Sequence, residues 1–375
     1  MKQLIKTLLS TAVFVLVLLF GFSVLKTVYS EREFTAGTYT DYYYQTLDEK
    51  EKQAYTQIRE SIFSFPEKIE TPVLTQSQLE TVLNALIYDN PMLFMLDKCS
   101  LEIKGERAFF VPVYSVTQSK FNEDAQNITE IINLFLKNVP ADRYEAELYC
   151  HDYIISTCTY SDTGIHDEDT VAGVLLDGKA KCSGYAKAFK LLLNAAGIDS
   201  VLITGDATDY NGKTQKHMWN AVNINGSWCY TDVTWNDPVG EKGENYIQHV
   251  YFNMTEGMLS RTHSNFNFQH ECNTPYLFYY IINKAYFEKA DSEMISALSH
   301  LISKACTSGN NSVEIMLSDG KALHSAENYL FEKEKVYRAL ETAALETGLN
   351  INTNTVKYTV DTETNLITIF FEIKE

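Results

Sequence analysis

Apolar residues recur at helical spacing in the segment 181–198, KCSGYAKAFKLLLNAAGI. Counted from Cys182, the apolar stripe continues through Ala186, Phe189, Leu192, Leu193 and Ala196. This period predicts an amphipathic helix that begins at Cys182. Gly197 is a plausible residue to stop it, because glycine is favoured just after a helix end.

A second pattern surrounds Asn225-Gly226, where two strand-like runs meet in HMWNAVNINGSWCYTDVTW. Asn-Gly between two such runs predicts a hairpin with a two-residue type I′ turn. In this register the numbers of two paired residues add up to 451, as they do for Ile224 and Ser227. Because side chains alternate between the two faces of a strand, one face then carries His217, Trp219, Asp232 and Thr234. His217 and Asp232 become diagonal neighbours within side-chain reach. A three-residue loop would instead put Asp232 on the opposite face.

The rest of the chain alternates between helical and strand-like patterns, which predicts an α+β protein. Helical spacing is found at 47–62, 76–87, 127–137, 143–156 and 327–348. Strand-like runs are found within 99–117 and at 313–317, 356–360 and 366–373. The helix at 76–87 is expected to end at Asn90-Pro91, since a residue before proline disfavours helix.

The N-terminus has a different character. Lys2 and Lys6 precede an uncharged run of 19 residues, counted inclusively from Thr7 to Leu25. At about 1.5 Å per residue the run nearly spans a bilayer core of about 30 Å. We expect an uncleaved signal anchor at residues 1–25, with the main domain outside the cytoplasm. The alternative is a cleaved signal peptide and a secreted protein.

Five regions follow from these patterns. They are a signal anchor at 1–25, a linker at 26–47, a mixed α/β region at 48–140, a catalytic region at 141–271 and a C-terminal α+β region at 272–375. A chain of 375 residues is long enough for two or three domains.

Composition narrows the classes of function. The net charge of −18 makes nucleic acid an unexpected partner, because phosphate backbones attract clusters of Lys and Arg. The seven cysteines form no CxxC pair, so a zinc ribbon is not indicated. His263, His270 and Cys272 have a spacing that fits no standard metal site. We therefore expect no metal and no cofactor. The sequence leaves the oligomeric state open.

The predicted helix and hairpin together suggest a reactive thiol. A cysteine in the first helical turn lies where free N–H groups and the helix dipole favour an anion, such as a thiolate. His217 could act as its base and Asp232 could orient the histidine. Gly184 leaves room beside the thiol for backbone or substrate. Taken alone, Cys182 could equally be an apolar residue of the stripe.

These segments resemble the transglutaminase-like superfamily, and more narrowly the bacterial and fungal transglutaminase/protease-like proteins, which include fungal cytokinesis proteins. The resemblance lies in GVLLDGKAKCSGYAKAFKLLLNAAGI, VLITGD and KHMWNAVNINGSWCYTDVTWND, within about residues 141–270. It implies a papain-like α+β core, with a nucleophile helix packed on an antiparallel sheet. It also implies that Cys182 is the nucleophile, His217 the general base and Asp232 the orienting acid.

The expected function is therefore that of a thiol enzyme outside the cytoplasm. It would act on a protein or peptide amide, in the cell envelope for example, through a thioester. Transfer to an amine and hydrolysis both remain open. Trp219 and Tyr185 could line the substrate cleft, or could pack in the core. The alternative function is a non-catalytic cell-surface scaffold that retains the fold.

Overall fold

The structure is a computed structural model that describes residues 41–237 and 247–374. The signal anchor predicted at residues 1–25 lies outside the described residues, as does most of the predicted linker. Within those two ranges, no helix combines the length and the apolar character needed to cross a membrane.

Helices and strands alternate along the described chain. The helices are α1 Tyr42–Thr46, α2 Glu49–Ser61, α3 Gln76–Asp89, α4 Gln118–Leu136, α5 Arg143–Thr157, α6 Cys182–Ala195, α7 Glu256–Leu259, α8 Tyr279–Ile282, α9 Ser292–Thr307, α10 Gly320–Glu327 and α11 Lys335–Thr347. The strands are β1 Ile69–Thr71, β2 Leu96–Lys104, β3 Arg107–Tyr114, β4 Thr159–Tyr160, β5 Lys179–Ala180, β6 Ser200–Thr208, β7 Thr214–Ile224, β8 Ser227–Thr231, β9 His263–Ser264, β10 Tyr286–Phe287, β11 Ser312–Leu317, β12 Asn350–Asp361 and β13 Leu366–Lys374. The predicted α+β class is confirmed.

Several helices begin at the capping residues that their sequences supply. Asp48 caps α2 and Thr75 caps α3, each in a capping box with the residue three positions on. Such caps satisfy N–H groups that the first helical turn leaves without partners. The helix predicted at 127–137 begins earlier, because the Thr117 side chain caps α4.

The central sheet has the strand order β8-β7-β6-β9, with all neighbours antiparallel, and α6 packs against β7 and β6. Asn225 and Gly226 both have positive φ, 54° and 91°, as a type I′ turn requires. Ile224 pairs with Ser227, which confirms the predicted register. The ladder ends at Asn220↔Thr231, so the pairs predicted further along the strands are not made.

The N-terminal and catalytic regions share one hydrophobic core. A single cluster of buried side chains runs from the residues of α2 and α3 to those of α5 and α6. A separate cluster lies in the C-terminal region, on a sheet of strand order β10-β11-β13-β12. The helix predicted at 327–348 is not continuous, since Glu334 has a φ of 57° and α11 begins after it.

Candidate functional site

Cys182 is the first residue of α6, as the apolar stripe predicts. The preceding Lys181 is extended and gives the helix no side-chain cap. The thiol is partly exposed and lines a cleft of about 610 Å³, whose walls come from β4, β6, β7 and the start of α6. Because a helix N-terminus favours negative charge, this position suits a thiolate.

The start of α6 is tied to the loop before it. Lys181 Nζ lies 3.0 Å from Asp169 Oδ2 and 3.4 Å from Asp162 Oδ1. The hydroxyl of Ser183 donates a hydrogen bond to the Asp169 carboxylate. These contacts on both sides of Cys182 fix the direction in which the helix begins.

Gly184 allows a close approach of the protein's own backbone. A Cβ at this position would lie 2.6 Å from the Glu168 carbonyl oxygen and 2.7 Å from the Cβ of Ala180. Neither distance is tolerable for real atoms, so only glycine fits without movement of the neighbouring chain. The space beside Gly184 is thus occupied by the loop that holds the helix start.

His217 and Asp232 meet although the hairpin ladder ends before them. His217 Nε2 lies 2.7 Å from Asp232 Oδ2, and both side chains are buried. The backbone N–H of Asp232 donates to the carbonyl oxygen of Tyr251, at 2.9 Å, and so leaves the β7–β8 ladder. The structure therefore brings together the histidine and the carboxylate that alternation placed on one face.

Asp232 is buried with hydrogen bonds on both carboxylate oxygens. Its Oδ1 accepts from the backbone N–H groups of Thr234 and Trp235, at 3.1 and 3.2 Å. Its Oδ2 accepts from His217 and, at 3.1 Å, from His263 Nε2. Burial raises the pKa of Asp232, but the neighbouring histidines outweigh it and hold the pKa below its usual range. The carboxylate is therefore an anion.

The electrostatics of His217 follow from its two neighbours. Burial lowers the pKa of His217, but the charge and hydrogen bond of Asp232 oppose it, with a further hydrogen bond to Cys182. The balance raises the pKa of His217 to about 10. Since Asp232 engages Nε2, the nitrogen left for the thiol is Nδ1. Cys182 and His217 thus line one cleft, and His217 in turn contacts Asp232.

The two aromatic residues expected in the cleft lie elsewhere. Tyr185 is fully buried in the main core, and its hydroxyl donates to the Asp237 carboxylate. Trp219 is 1% exposed and packs between His217 and His263, with ring centroids 6.0 and 4.7 Å away. Both residues are therefore packed in the core, which is the alternative that the sequence left open. Alternation along a strand gives the face of a residue, but not whether another segment covers that face.

The three residues considered as metal ligands are not brought together. His263 contacts Asp232, whereas His270 stacks on Trp228 and Cys272 is buried in a hydrophobic cluster. The contact between His263 and Asp232 was not predicted. The only sequence signal for it was the presence of a histidine shortly after the hairpin.

A second cluster of polar groups lies between the catalytic region and the C-terminal sheet. His249 Nδ1 lies 2.6 Å from Glu314 Oε2, and His249 Nε2 lies 3.1 Å from Asp152 Oδ1. His151 Nδ1 lies 2.8 Å from the same Asp152 oxygen. Burial lowers the pKa of His249, but the charges of Asp152 and Glu314 raise it to about 9. His249 is therefore an imidazolium between two carboxylates.

His151, Asp152 and His249 lie close enough to hold a metal ion, as do His217, Asp232 and His263. The hydrogen bonds of His151 do not fit a ligand role. Asn236 Oδ1 accepts from the Tyr251 N–H, so its amide group faces His151 Nε2, at 3.0 Å. Nε2 must then accept, and Nδ1 carries the proton towards Asp152. A metal on Nδ1 would need the lone pair that this tautomer lacks.

Residues 135–233 match the family model of the transglutaminase-like superfamily. The chain contains a transglutaminase-like domain. The matched range includes Cys182, His217 and Asp232, whereas His263 and Glu314 follow it.

Individual relatives share only parts of their chains with this protein. The kyphoscoliosis peptidase of Mus musculus is 32% identical over 69 residues, in a match that covers 16% of this chain and 10% of the peptidase. The crystal structure of a TGase is 16% identical, with a TM-score of 0.27, over 45% of this chain and 52% of that chain. A candidate cysteine protease from Cytophaga hutchinsonii is 10% identical, with a TM-score of 0.24, over 36% of this chain and 61% of that chain.

Proposed function

We propose that the protein is a thiol acyl-transfer enzyme, with Cys182 as nucleophile, His217 as general base and acid, and Asp232 as the residue that orients His217. The observation that carries this proposal is one arrangement: a thiol at a helix start, a buried histidine that lines the same cleft, and a buried anionic carboxylate bonded to that histidine. Catalysis by a thiol needs a nucleophile, a base and a group that orients the base, in this order.

The reaction has two steps. The Cys182 thiolate attacks the carbonyl carbon of a carboxamide or peptide bond, and the C–N bond breaks as His217 gives its proton to the leaving ammonia or amine. A thioester remains on Cys182. A second amine attacks this thioester and gives a new amide, or water attacks and gives a carboxylic acid. In either case His217 takes the proton of the attacking group, and the thiol is released. The backbone N–H of Cys182 is one donor for the oxyanion.

Thiol reactivity tests the proposal. Cys99 and Cys182 are partly exposed, and the other five cysteines are buried. We expect iodoacetamide at neutral pH to label Cys182 much faster than Cys99, as mapped by mass spectrometry. His217→Ala should remove the difference. Cys99→Ser is the matched control, in which Cys182 should be labelled as fast as in the wild type. Equal labelling of both thiols in the wild type, with no effect of His217→Ala, would show that Cys182 is not a nucleophile and would favour a non-catalytic scaffold.

The acceptor that resolves the thioester is tested separately. A glutamine-containing peptide incubated with a labelled primary amine should incorporate the label if the enzyme is a transferase. Release of ammonia or peptide cleavage without incorporation identifies a hydrolase. Cys182→Ala is the control for both, because it removes the nucleophile and should abolish either product.

We also propose that the protein acts outside the cytoplasm, anchored by residues 1–25. The support is the uncharged run from Thr7 to Leu25 behind two lysines. Protease added to intact cells should then digest the large domain, whereas a cytoplasmic control protein stays intact. Recovery of the domain in the medium, without the N-terminal run, would support the cleaved-signal alternative.

A further inference from the structure

His263 contacts Asp232 from β9, at the edge of the central sheet opposite β8, the strand that ends just before Asp232. In β6, Gly205 pairs with His217 on β7, and Ala207 pairs with His263 on β9. Paired residues share a face, and so do alternate residues along a strand. Both histidines therefore project from one face, separated only by the small residues of β6.

Gly205 keeps this space open. A Cβ there would lie 2.6 Å from the carbonyl oxygen of Ser264 and 2.8 Å from the ring of Trp219. A larger residue would push β9 away from β6, and with it His263. The close approach of His263 to the site thus depends on a glycine in the strand between the two histidines.

The tautomer of His263 follows from its partners. Asp232 is an anion, so His263 Nε2, 3.1 Å from Oδ2, must be the nitrogen that carries the proton. His263 Nδ1 lies 2.9 Å from the hydroxyl of Thr262, which can donate to it. An imidazole that donates from Nε2 and accepts at Nδ1 satisfies both contacts. The side chain is fully buried, so no water competes for them.

An aromatic enclosure holds the ring in this orientation. The rings of Trp219, Trp235 and Tyr251 lie 4.7, 4.8 and 5.8 Å from that of His263. The two indole rings offer no lone pair in place of the Asp232 carboxylate, and the Tyr251 hydroxyl is engaged with that of Tyr210, at 3.2 Å. The most favourable position of the His263 N–H is therefore towards Oδ2.

We propose that His263 is a positioning residue of the catalytic site: it holds Oδ2 of Asp232 towards His217 and shares the charge of that oxygen with it. The inference rests on the proposed function, because it assigns a role relative to the same triad. The two backbone N–H groups hold only Oδ1. His263 supplies the one hydrogen bond to Oδ2 besides that of His217 among the described residues.

The proposal predicts a change in pH dependence. The titratable groups that face Oδ2 are His217 and His263, with Cys182 beyond His217. The charge of Asp232 also acts on His151. When the His263 donor is lost, more of the charge on Oδ2 acts on His217, and its imidazolium is stabilised further. The alkaline limb of activity should then move to higher pH.

The test compares His263→Leu, which removes the donor, with His263→Gln, which retains an N–H donor. Amine incorporation or hydrolysis is measured from pH 5 to 11, beside alkylation of Cys182. In His263→Leu we expect kcat to fall about 10- to 100-fold and the alkaline limb to rise by about half a pH unit. His263→Gln should retain most of the wild-type kcat and keep the alkaline limb close to its wild-type pH. A purely structural role would lower activity without moving the limb.

Two outcomes separate this inference from the proposed function. If Cys182 is unreactive in the wild type, the proposed function is wrong. If the wild type is reactive and a folded His263→Leu keeps its kcat and pH profile, only the role of His263 is wrong. Should the variants not fold, ¹⁵N NMR of histidine in the wild-type chain decides. A proton on His263 Nε2 agrees with the proposal, and a proton on Nδ1 alone overturns it.

Discussion

The ion pair between His249 and Glu314 is expected to make stability depend on pH. Both side chains are more than nine-tenths buried, and they join the catalytic region to strand β11 of the C-terminal sheet. The groups that face the His249 ring are Asp152, Glu314, His151 and the stacked Tyr279. We choose Glu314→Gln as the perturbation, because it removes the charge and nearly preserves the shape.

The sign and size of the pH effect on the free energy of unfolding follow from the shift in the pKa of His249. Burial lowers the pKa of His249, but Asp152 and Glu314 outweigh it and raise the pKa to about 9. Its unfolded value is about 6.5. The stabilisation is then fully present below about pH 6.5 and is lost as pH rises through 9. A shift of about 2.5 units corresponds to about 3 kcal/mol. If Glu314 supplies about half of this, Glu314→Gln costs about 1–2 kcal/mol at pH 6.

Urea unfolding at pH 6 and pH 10 measures this effect. His217 also has a raised pKa and also loses stabilisation over the same range, so the comparison is between variants at one pH. The exposed Glu341 on α11 provides the matched control, Glu341→Gln. The free energy of unfolding of Glu314→Gln should lie below that of the wild type at pH 6 and approach it at pH 10. An equal deficit at both values would refute the reasoning, as would no deficit at pH 6.

Three further changes test the site. Asp232→Asn should lower kcat about 10³- to 10⁴-fold, because an amide does not fix the tautomer of the histidine. Circular dichroism should show that the chain stays folded, and an unchanged kcat would argue against the orienting role. Gly184→Ala should lower the free energy of unfolding in urea by about 1–3 kcal/mol, because its Cβ would meet a backbone oxygen at 2.6 Å. Gly257→Ala is the matched control, since a Cβ there would have nothing within 4 Å. Gly226→Ala should cost about 1 kcal/mol or more, since φ there is 91°; an unchanged melting temperature would contradict that strain.

The parts of the site that the sequence predicts are those that local chemistry determines. Asn225-Gly226 selects a turn in which both residues have positive φ, and that turn alone fixes the register of β7 and β8. The start of α6 at Cys182 follows from the apolar stripe and from a preceding extended residue. The pairing of His217 with Asp232 could therefore be predicted, even though Asp232 leaves the ladder.

The remaining contacts depend on chain segments whose meeting no local pattern encodes. Strand β9 has two residues, too few to show alternation, and its place beside β6 depends on tertiary packing. His249 and Asp152 are 97 residues apart in the chain, and Glu314 lies a further 65 beyond His249. A buried imidazolium is costly unless carboxylates accompany it, so its neighbours must be supplied by the fold as a whole. For the same reason the Asp232 carboxylate acquires its second histidine, His263, from a segment that sequence patterns leave unassigned.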